Sequence, residues 1–431
     1  MLEKGNKKVI NAWAFYDWAN SAYPLVITTA IFPMFYEAVT TTSAPDGSTN
    51  DLVYFFGKQF RNTELYSYIV SLSFLIVSLI SPILSGIADY SDNKKRFLQF
   101  FCYLGALSCA SLFFFDVEAL ERSMISVLLA SVGFWASLVF YNAYLPEIAE
   151  ASQHDRISAK GYALGYLGSS LLLIGNLIGI MGFDMPAKWA FVSVAVWWIG
   201  FSQITYARLP NRTFIQKPKA NKFTKGWLEL KKVWKQLKNM RVLKRYLTSF
   251  FIYSMGVQTV MLMATLFAAK EINWGDDGAK TGLIVSVLII QFIAIAGAYL
   301  FAWISSKMGN LYSLSITLII WIGVCIGAYF IREPLEFYII AGIVGLVMGG
   351  VQSLSRSTYS KLLPETTDHA SFFSFYDVLE KLGIVIGTFA YGYIEGVTGS
   401  MRNSIIALIV FFVMGMLLLL RVPKKQVISS N

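Results

Sequence analysis

The chain has 431 residues, 56% of them hydrophobic and only 14% charged, with 36 lysines and arginines against 26 acids and a formal net charge of +10. Soluble domains carry roughly 25% charged residues, so this composition excludes disorder, collagen, a coiled coil and most soluble enzymes. The apolar residues come in blocks of about 20, the length at which a helix crosses a bilayer, and the chain reads as an all-α polytopic membrane protein.

Twelve spans are predicted, at roughly 12–38, 65–88, 97–115, 123–145, 161–183, 188–207, 246–269, 281–304, 311–330, 336–357, 371–394 and 403–420. Lysine and arginine concentrate in the segments that share a side with the N-terminus, which places both termini in the cytoplasm. The net charge is largely this topology signal and requires no nucleic-acid partner. The N-terminal segment is expected to stay attached, because its apolar stretch is too long for a cleaved signal. Cys102 and Cys109 share one span, Cys325 lies apart, and His154 and His369 sit in predicted loops. No metal spacing arises, so no metal, no other cofactor and no catalytic residue is expected. No GxxxxGK[ST] loop is present for direct ATP drive.

The first span carries Asp17 about 8 Å inside its start at 1.5 Å per residue. Asn20 and Ser21 lie on the same face, and Pro24 interrupts the backbone one turn further on. An ionisable residue in a span costs several kcal/mol unless paired or wet, so Asp17 is the first functional candidate. Its structural alternative is an ion pair with an interfacial cation or helix end. After the second span, Ser85-Gly86-Ile87-Ala88-Asp89 leads to Asp92-Asn93-Lys94-Lys95-Arg96. Asp89 is placed to face a neighbouring helix N-terminus, and the cations to hold phosphates or acids. Glycines 161, 165 and 168, and 383 and 387, mark close helix contacts.

The segment from Arg208 to Arg245 holds thirteen basic residues against one acid, Glu229, and separates six spans from six. Trp227, Leu230, Trp234 and Leu237 recur at helical spacing, with Lys231, Lys232, Lys235 and Lys238 between them. This is a basic amphipathic helix expected in the inner headgroup region. The organisation is then an N-terminal bundle (1–209), a linker (210–245) and a C-terminal bundle (246–431). Leu145-Pro146-Glu147 and Leu363-Pro364-Glu365 close the fourth and tenth spans 218 residues apart, and Tyr141 and Tyr359 keep the same offset. Six is even, so the halves are parallel repeats, the arrangement of the major facilitator fold.

The Asp89 loop resembles the major facilitator loop motif, with Asp92 where the motif usually has glycine and no acid in the second copy at Trp303 to Asn310. Trp13-Ala14-Phe15-Tyr16-Asp17-Trp18-Ala19-Asn20-Ser21-Ala22-Tyr23, Gln352-Ser353-Leu354-Ser355-Arg356-Ser357 and Phe372-Phe373-Ser374-Phe375-Tyr376-Asp377 resemble the vacuole effluxer-like branch of the major facilitators, whose yeast founder is an autophagy-related amino-acid exporter. The resemblance covers nearly the whole chain. It implies a secondary active transporter of a small polar solute, of amino-acid type, exported by alternating access.

Within that frame the substrate and coupling candidates are Asp17, Asn20, Tyr16, Tyr23, Tyr141, Asn142, Gln258, Gln352, Arg356, Tyr359, Asp377, Glu380 and Lys381. Gly86, Asp89, Lys94, Lys95 and Arg96 form the conformational-switch loop. Asp17 is expected to couple transport to protons, with Asn20 and Tyr16 orienting it. Arg356 either takes a substrate carboxylate or snorkels to the interface. Asp377 and Lys381 pair within one helix, which leaves Glu380 without a partner. Tryptophans 189, 197, 198 and 303 read as interface belt. The expected partners are the bilayer, the solute and protons, for a monomer in a bacterial inner membrane. The rival readings are an intramembrane lipid-modifying enzyme, for which no histidine or DDxxD pair lies in a span, and a passive channel.

Overall fold

The structure, a computed structural model, describes residues 4–43, 49–210, 222–275 and 278–423. The first span consists of α1 (Lys7–Asn20), a π-helical stretch over Tyr23–Ile31, and α2 (Phe32–Thr40). The change of winding falls at Pro24, whose nitrogen has no proton for the helix ladder. Thr29 Oγ1 donates to the Pro24 carbonyl at 2.8 Å. Two antiparallel hairpins follow, β1 (Thr42–Ser43) with β2 (Thr49–Asn50), and β3 (Leu52–Phe55) with β4 (Lys58–Arg61).

The N-terminal half continues with α3 (Asn62–Ser91), α4 (Lys94–Ser111), α5 (Leu120–Asn142), the short α6 (Leu145–Ile148), α7 (His154–Gly182) and α8 (Lys188–Arg208). After the linker helix α9 (Lys222–Asn239), the C-terminal half comprises α10 (Arg241–Glu271), α11 (Ala279–Met308), α12 (Asn310–Phe330), α13 (Pro334–Leu362), α14 (His369–Thr398) and α15 (Met401–Leu420). Eleven spans among the described residues are long and apolar enough to cross a membrane. The remaining one, α14, is 30 residues long; Asp377, Glu380 and Lys381 lower its mean hydropathy. Each membrane-spanning helix coincides with a predicted span.

Several helices outrun the predicted ends. The seventh span starts at Arg241 rather than 246, one residue after α9. Helix α7 starts at His154 rather than 161, and α13 runs to Leu362 rather than 357. The added turns are polar, so an apolar window misses them. Large apolar side chains such as Leu79, Val196 and Phe389 stand exposed on the outside, while serines 85, 137, 158, 353 and 374 are fully buried. That inverted distribution suits a bilayer, where lipid is as apolar as leucine and small polar residues bring helices together. The glycine spacing is used as expected. A Cβ on Gly165 would strike Ser21, which caps α1, and one on Gly387 would strike Thr259 of α10.

Residues 211–221 of the predicted linker lie outside the described residues. Helix α9 does not lie free in the headgroups. It packs on α3 and also meets α14, with Leu230, Val233 and Leu237 buried and Trp227 and Trp234 half exposed. Trp234 lies 5.4 Å from the Phe375 ring of α14, and Lys232 pairs with Asp368 at 3.0 Å. The strap therefore touches both halves. The expected tryptophan belt also needs a correction. Trp189 and Trp303 are exposed, but Trp198 is fully buried, beside Tyr23 and Phe134.

Candidate functional site

The chain ends share one side of the bundle: the Gly5 amide bonds the Ile148 carbonyl, and Arg245 bonds the Arg421 carbonyl. On this side the two halves are clasped by three polar clusters.

Deepest lies Arg356, near the end of α13. Its guanidinium enters a socket made wholly by the other half. Both Nη1 and Nη2 lie 3.1 Å from Asp17 Oδ2. Nε donates to Ser158 Oγ at 2.9 Å, Nη2 to the Ser158 carbonyl at 2.9 Å, and Nη1 reaches Asn142 Oδ1 at 3.4 Å. The rings of Trp13, Tyr141 and Tyr162 lie 4.9, 5.6 and 4.2 Å from its Cζ, within cation–π range. Tyr141 donates to Asp17 Oδ2 at 2.8 Å, and Ser158 Oγ donates to the Ser353 carbonyl at 2.8 Å. Glycine is required at 161, since a Cβ there would overlap Asp17 Oδ2 and come within 2.8 Å of Arg356 Nη2. Arg356 thus neither snorkels nor points to open solvent; it is 2% exposed.

The second cluster surrounds the start of α14. The Asp89 carboxylate accepts from the backbone amides of Ala370 and Ser371 at 3.2 and 2.7 Å, the helix-terminus contact expected of it. Lys94 bridges Asp89 and Glu147, and His369 Nδ1 lies 3.0 Å from Glu147 Oε1. Lys95 donates to the Leu209 carbonyl, while Arg96 is exposed. Gly86 is buried in the last turns of α3. Asp92 takes the left-handed backbone at φ 51°, a conformation aspartate tolerates better than most residues. The equivalent Gly309 sits at φ 85°.

The third cluster repeats the second with the halves exchanged. Asp155, in the first turn of α7, accepts from Ser305, Asn310 and Lys361 at 2.9, 2.7 and 2.7 Å. Sequence reasoning did not single out Asp155 or Lys361. Their only signal was the acid missing from the second loop copy.

Towards the middle of the membrane, Lys381 Nζ lies 2.6 Å from Asp377 Oδ1 and 2.9 Å from Glu380 Oε2. It also lies 3.9 Å from the centroid of the Trp135 ring of α5, across the halves. Gln258 donates to Glu380 Oε1 at 2.9 Å. Glu380 therefore does have partners; the orphan atom is Asp377 Oδ2. Tyr166 hydrogen-bonds Gln352 across the halves.

Other candidates are displaced from this interface. Tyr16 packs inside the N-terminal half on Tyr141 and Tyr206, so Tyr141, not Tyr16, orients Asp17. Asn20 Oδ1 accepts from Ser21 and makes no bond to Asp17. Tyr23 packs on Phe134 and Trp198. Tyr359 donates to the Phe372 carbonyl at 2.5 Å, within its own half. An apolar groove of about 790 Å³ between α7 and α8, lined by Leu172, Trp189 and Ile204 among others, opens on the outer face and takes no part in this site.

Residues 5–429 match the family described as Vacuole effluxer Atg22 like. The chain belongs to this family. A relative from Bacillus subtilis (strain 168), "Uncharacterized MFS-type transporter YxiO", is 29% identical over 425 residues, covering 96% of this chain and 95% of its own. "Autophagy-related protein 22" from Kluyveromyces lactis is 26% identical over 465 residues, covering 95% and 92%. Among solved structures, the human organic anion transporter MFSD10 superposes with a TM-score of 0.71 at 10% identity, over 97% of this chain and 100% of that one. The major facilitator transporter FucP in its outward conformation gives 0.66 at 12% identity, over 97% and 99%. This Atg22-like protein therefore has the major facilitator fold, in an integral membrane protein.

Proposed function

We propose that this transporter moves a small polar solute of amino-acid class by alternating access, with both chain ends in the cytoplasm and export as its direction. The supporting observation is the one-sidedness of the clasp. Among the described residues, every hydrogen bond and ion pair between the halves lies at or between the chain-end side and the level of Gln352. Charged and polar partners of this kind can separate into water, whereas interdigitated apolar surfaces would not. Rocking the halves about the middle would open this side and expose Asp17, Arg356, Tyr166 and Gln352 together.

The central groups carry both signs of charge, with Glu380 and Lys381 beside Gln258, which suits a zwitterion. The family is described as an effluxer and the Bacillus subtilis relative is named as a transporter, which favours this reading over an intramembrane lipid-modifying enzyme. Counterflow in proteoliposomes, run over labelled amino acids, sugars and nucleosides, tests it. Saturable counterflow of an amino acid is expected. Counterflow of sugars or nucleosides alone would overturn the solute class, and dissipative leak without counterflow would make the protein a channel.

A further inference from the structure

Resting on the transporter reading, the geometry points to a proton site in the middle of α14: we infer that Asp377 holds the coupling proton on Oδ2, in a cluster with Glu380 and Lys381 that Trp135 of the other half covers. The argument starts from charge. Two carboxylates share one ammonium, Lys381, which is fully buried. Fully ionised, the cluster would keep one uncompensated negative charge; Glu380, whose side chain is 19% exposed, can carry its charge beside water, whereas the buried Asp377 avoids it by binding a proton. Arg356 cannot supply the balance, because Asp17 holds it.

The hydrogen bonds then decide which acid takes the proton. Glu380 has a donor on each oxygen, Gln258 on Oε1 and Lys381 on Oε2. Asp377 has Lys381 on Oδ1 alone, and its Oδ2 is buried without a partner. A neutral hydroxyl is less costly to leave there than half of a carboxylate charge. Asp377 is eight residues past His369, about 12 Å into the membrane at 1.5 Å per residue, beyond the clasp at the helix start.

The groups facing the cluster are few. Helix α14 itself supplies Glu380, Lys381 and Tyr376; Tyr253 of α10 and Tyr162 of α7 lie near Glu380. Helix α3 carries no titratable side chain between Tyr68 and Asp89, α15 none beyond Arg402, and α5 presents Trp135. The linker lysine nearest α14, Lys232, engages Asp368 at the helix end.

Trp135 ties this site to the clasp. Its ring lies over Lys381 and belongs to α5, so separating the halves lifts it away. Water then reaches Asp377, the Oδ2–H bond breaks with its electron pair left on the carboxylate, and the proton passes to water on the side that has opened.

Infrared difference spectroscopy of the purified protein between about pH 6 and pH 9, above the range in which exposed carboxylates bind protons, reads the proton as a carboxylic C=O band that disappears as pH rises. The band is expected in the parent and in Glu118→Gln, an exposed acid far from the clasp. It should be lost in Asp377→Asn, and also in Glu380→Gln, where Lys381 is left to neutralise Asp377 alone. Size-exclusion profiles select the variants that fold, and either one suffices. No band in the parent, its persistence in a folded Asp377→Asn or Glu380→Gln protein, or its loss in Glu118→Gln would overturn the site. In proteoliposomes with a trapped pH dye, amino-acid flux in the parent should change lumenal pH, and flux in Asp377→Asn should not. Parent flux without a pH change overturns the coupling alone, whereas absence of any parent flux overturns the transporter reading.

Discussion

Asp17→Asn should open the chain-end side of the transporter. In the closed clasp the substitution leaves the Arg356 guanidinium, 2% exposed, without its counter-charge. Breaking a buried ion pair by removing one partner costs about 3–5 kcal/mol. Arg356 keeps the Ser158 carbonyl and hydroxyl, Asn142 and three rings, so the cost falls near the lower end, about 3 kcal/mol. In the open state both residues are hydrated and the substitution costs little. At 1.4 kcal/mol per tenfold, the open population rises roughly 100-fold. Ser353→Cys reports this opening: Ser353 is fully buried between the halves, and only its carbonyl meets Ser158. The native Cys102, Cys109 and Cys325 are buried and give little background. A hydrophilic maleimide applied from the chain-end side should modify the introduced thiol faster by up to that factor. Gly161→Ala should do likewise, by driving its Cβ into Asp17 and Arg356. An unchanged or slower rate in both variants would refute the latch.

Asp155→Ala removes the acceptor shared by Lys361, Asn310 and Ser305, and should lower stability by about 3 kcal/mol, read as a lower melting temperature in detergent. Gly349→Leu would drive a side chain into the Ala294 carbonyl where α13 crosses α11; overpacking of about 1–3 kcal/mol or more should reduce the yield of monodisperse protein. Replacing Lys231, Lys235 and Lys238, all exposed on α9, with Gln should weaken the stabilisation of the full-length protein by anionic lipid, by about 1 kcal/mol per charge; equal melting shifts in anionic and neutral nanodiscs for the parent would exclude that lipid contact. A cysteine at Gly57, in the turn between β3 and β4, should react with an impermeant maleimide outside intact cells, and one at Arg96 should not; the reverse pattern would invert the topology.

The spans were legible because a lipid-crossing helix must be apolar along its length, and the glycine rows because a close helix crossing leaves no room for a Cβ. Asp89 was legible too, since its motif puts a carboxylate next to a cationic loop. What hydropathy could not show is the polar turns that extend α7, α13 and α14 past their apolar stretches. His154, Asp155, Lys361 and His369 read as loop residues, yet they lie in helix ends, where Asp155, Lys361 and His369 clasp the opposite half. The role of Asp17 was also hidden. Its depth in the first span was readable from spacing, but its partner Arg356 lies 339 residues away, in a half whose placement no local pattern reveals. The same holds for Tyr141, which took the orienting position expected of Tyr16: it reaches Asp17 from α5 across 124 residues of sequence, while Tyr16 turns to Tyr206 inside its own half.

The two outer clusters explain why the second loop copy tolerates the loss of its acid. In one, Asp89 comes from the last turn of α3 and meets the amides that open α14, with Lys94 alongside. In the other, the first residue of α12, Asn310, contributes from the matching junction, and the acid, Asp155, stands on the receiving helix α7 with Lys361 alongside. Each cluster joins a carboxylate, a lysine and the start of a helix, where the backbone dipole favours negative charge. A carboxylate on either partner satisfies that field equally, so the chain has to preserve the set of charges at each junction and not the strand of sequence that carries them. Such junctions hold while dry and exchange their partners for water when parted, and this is the property a gate requires of its closing contacts.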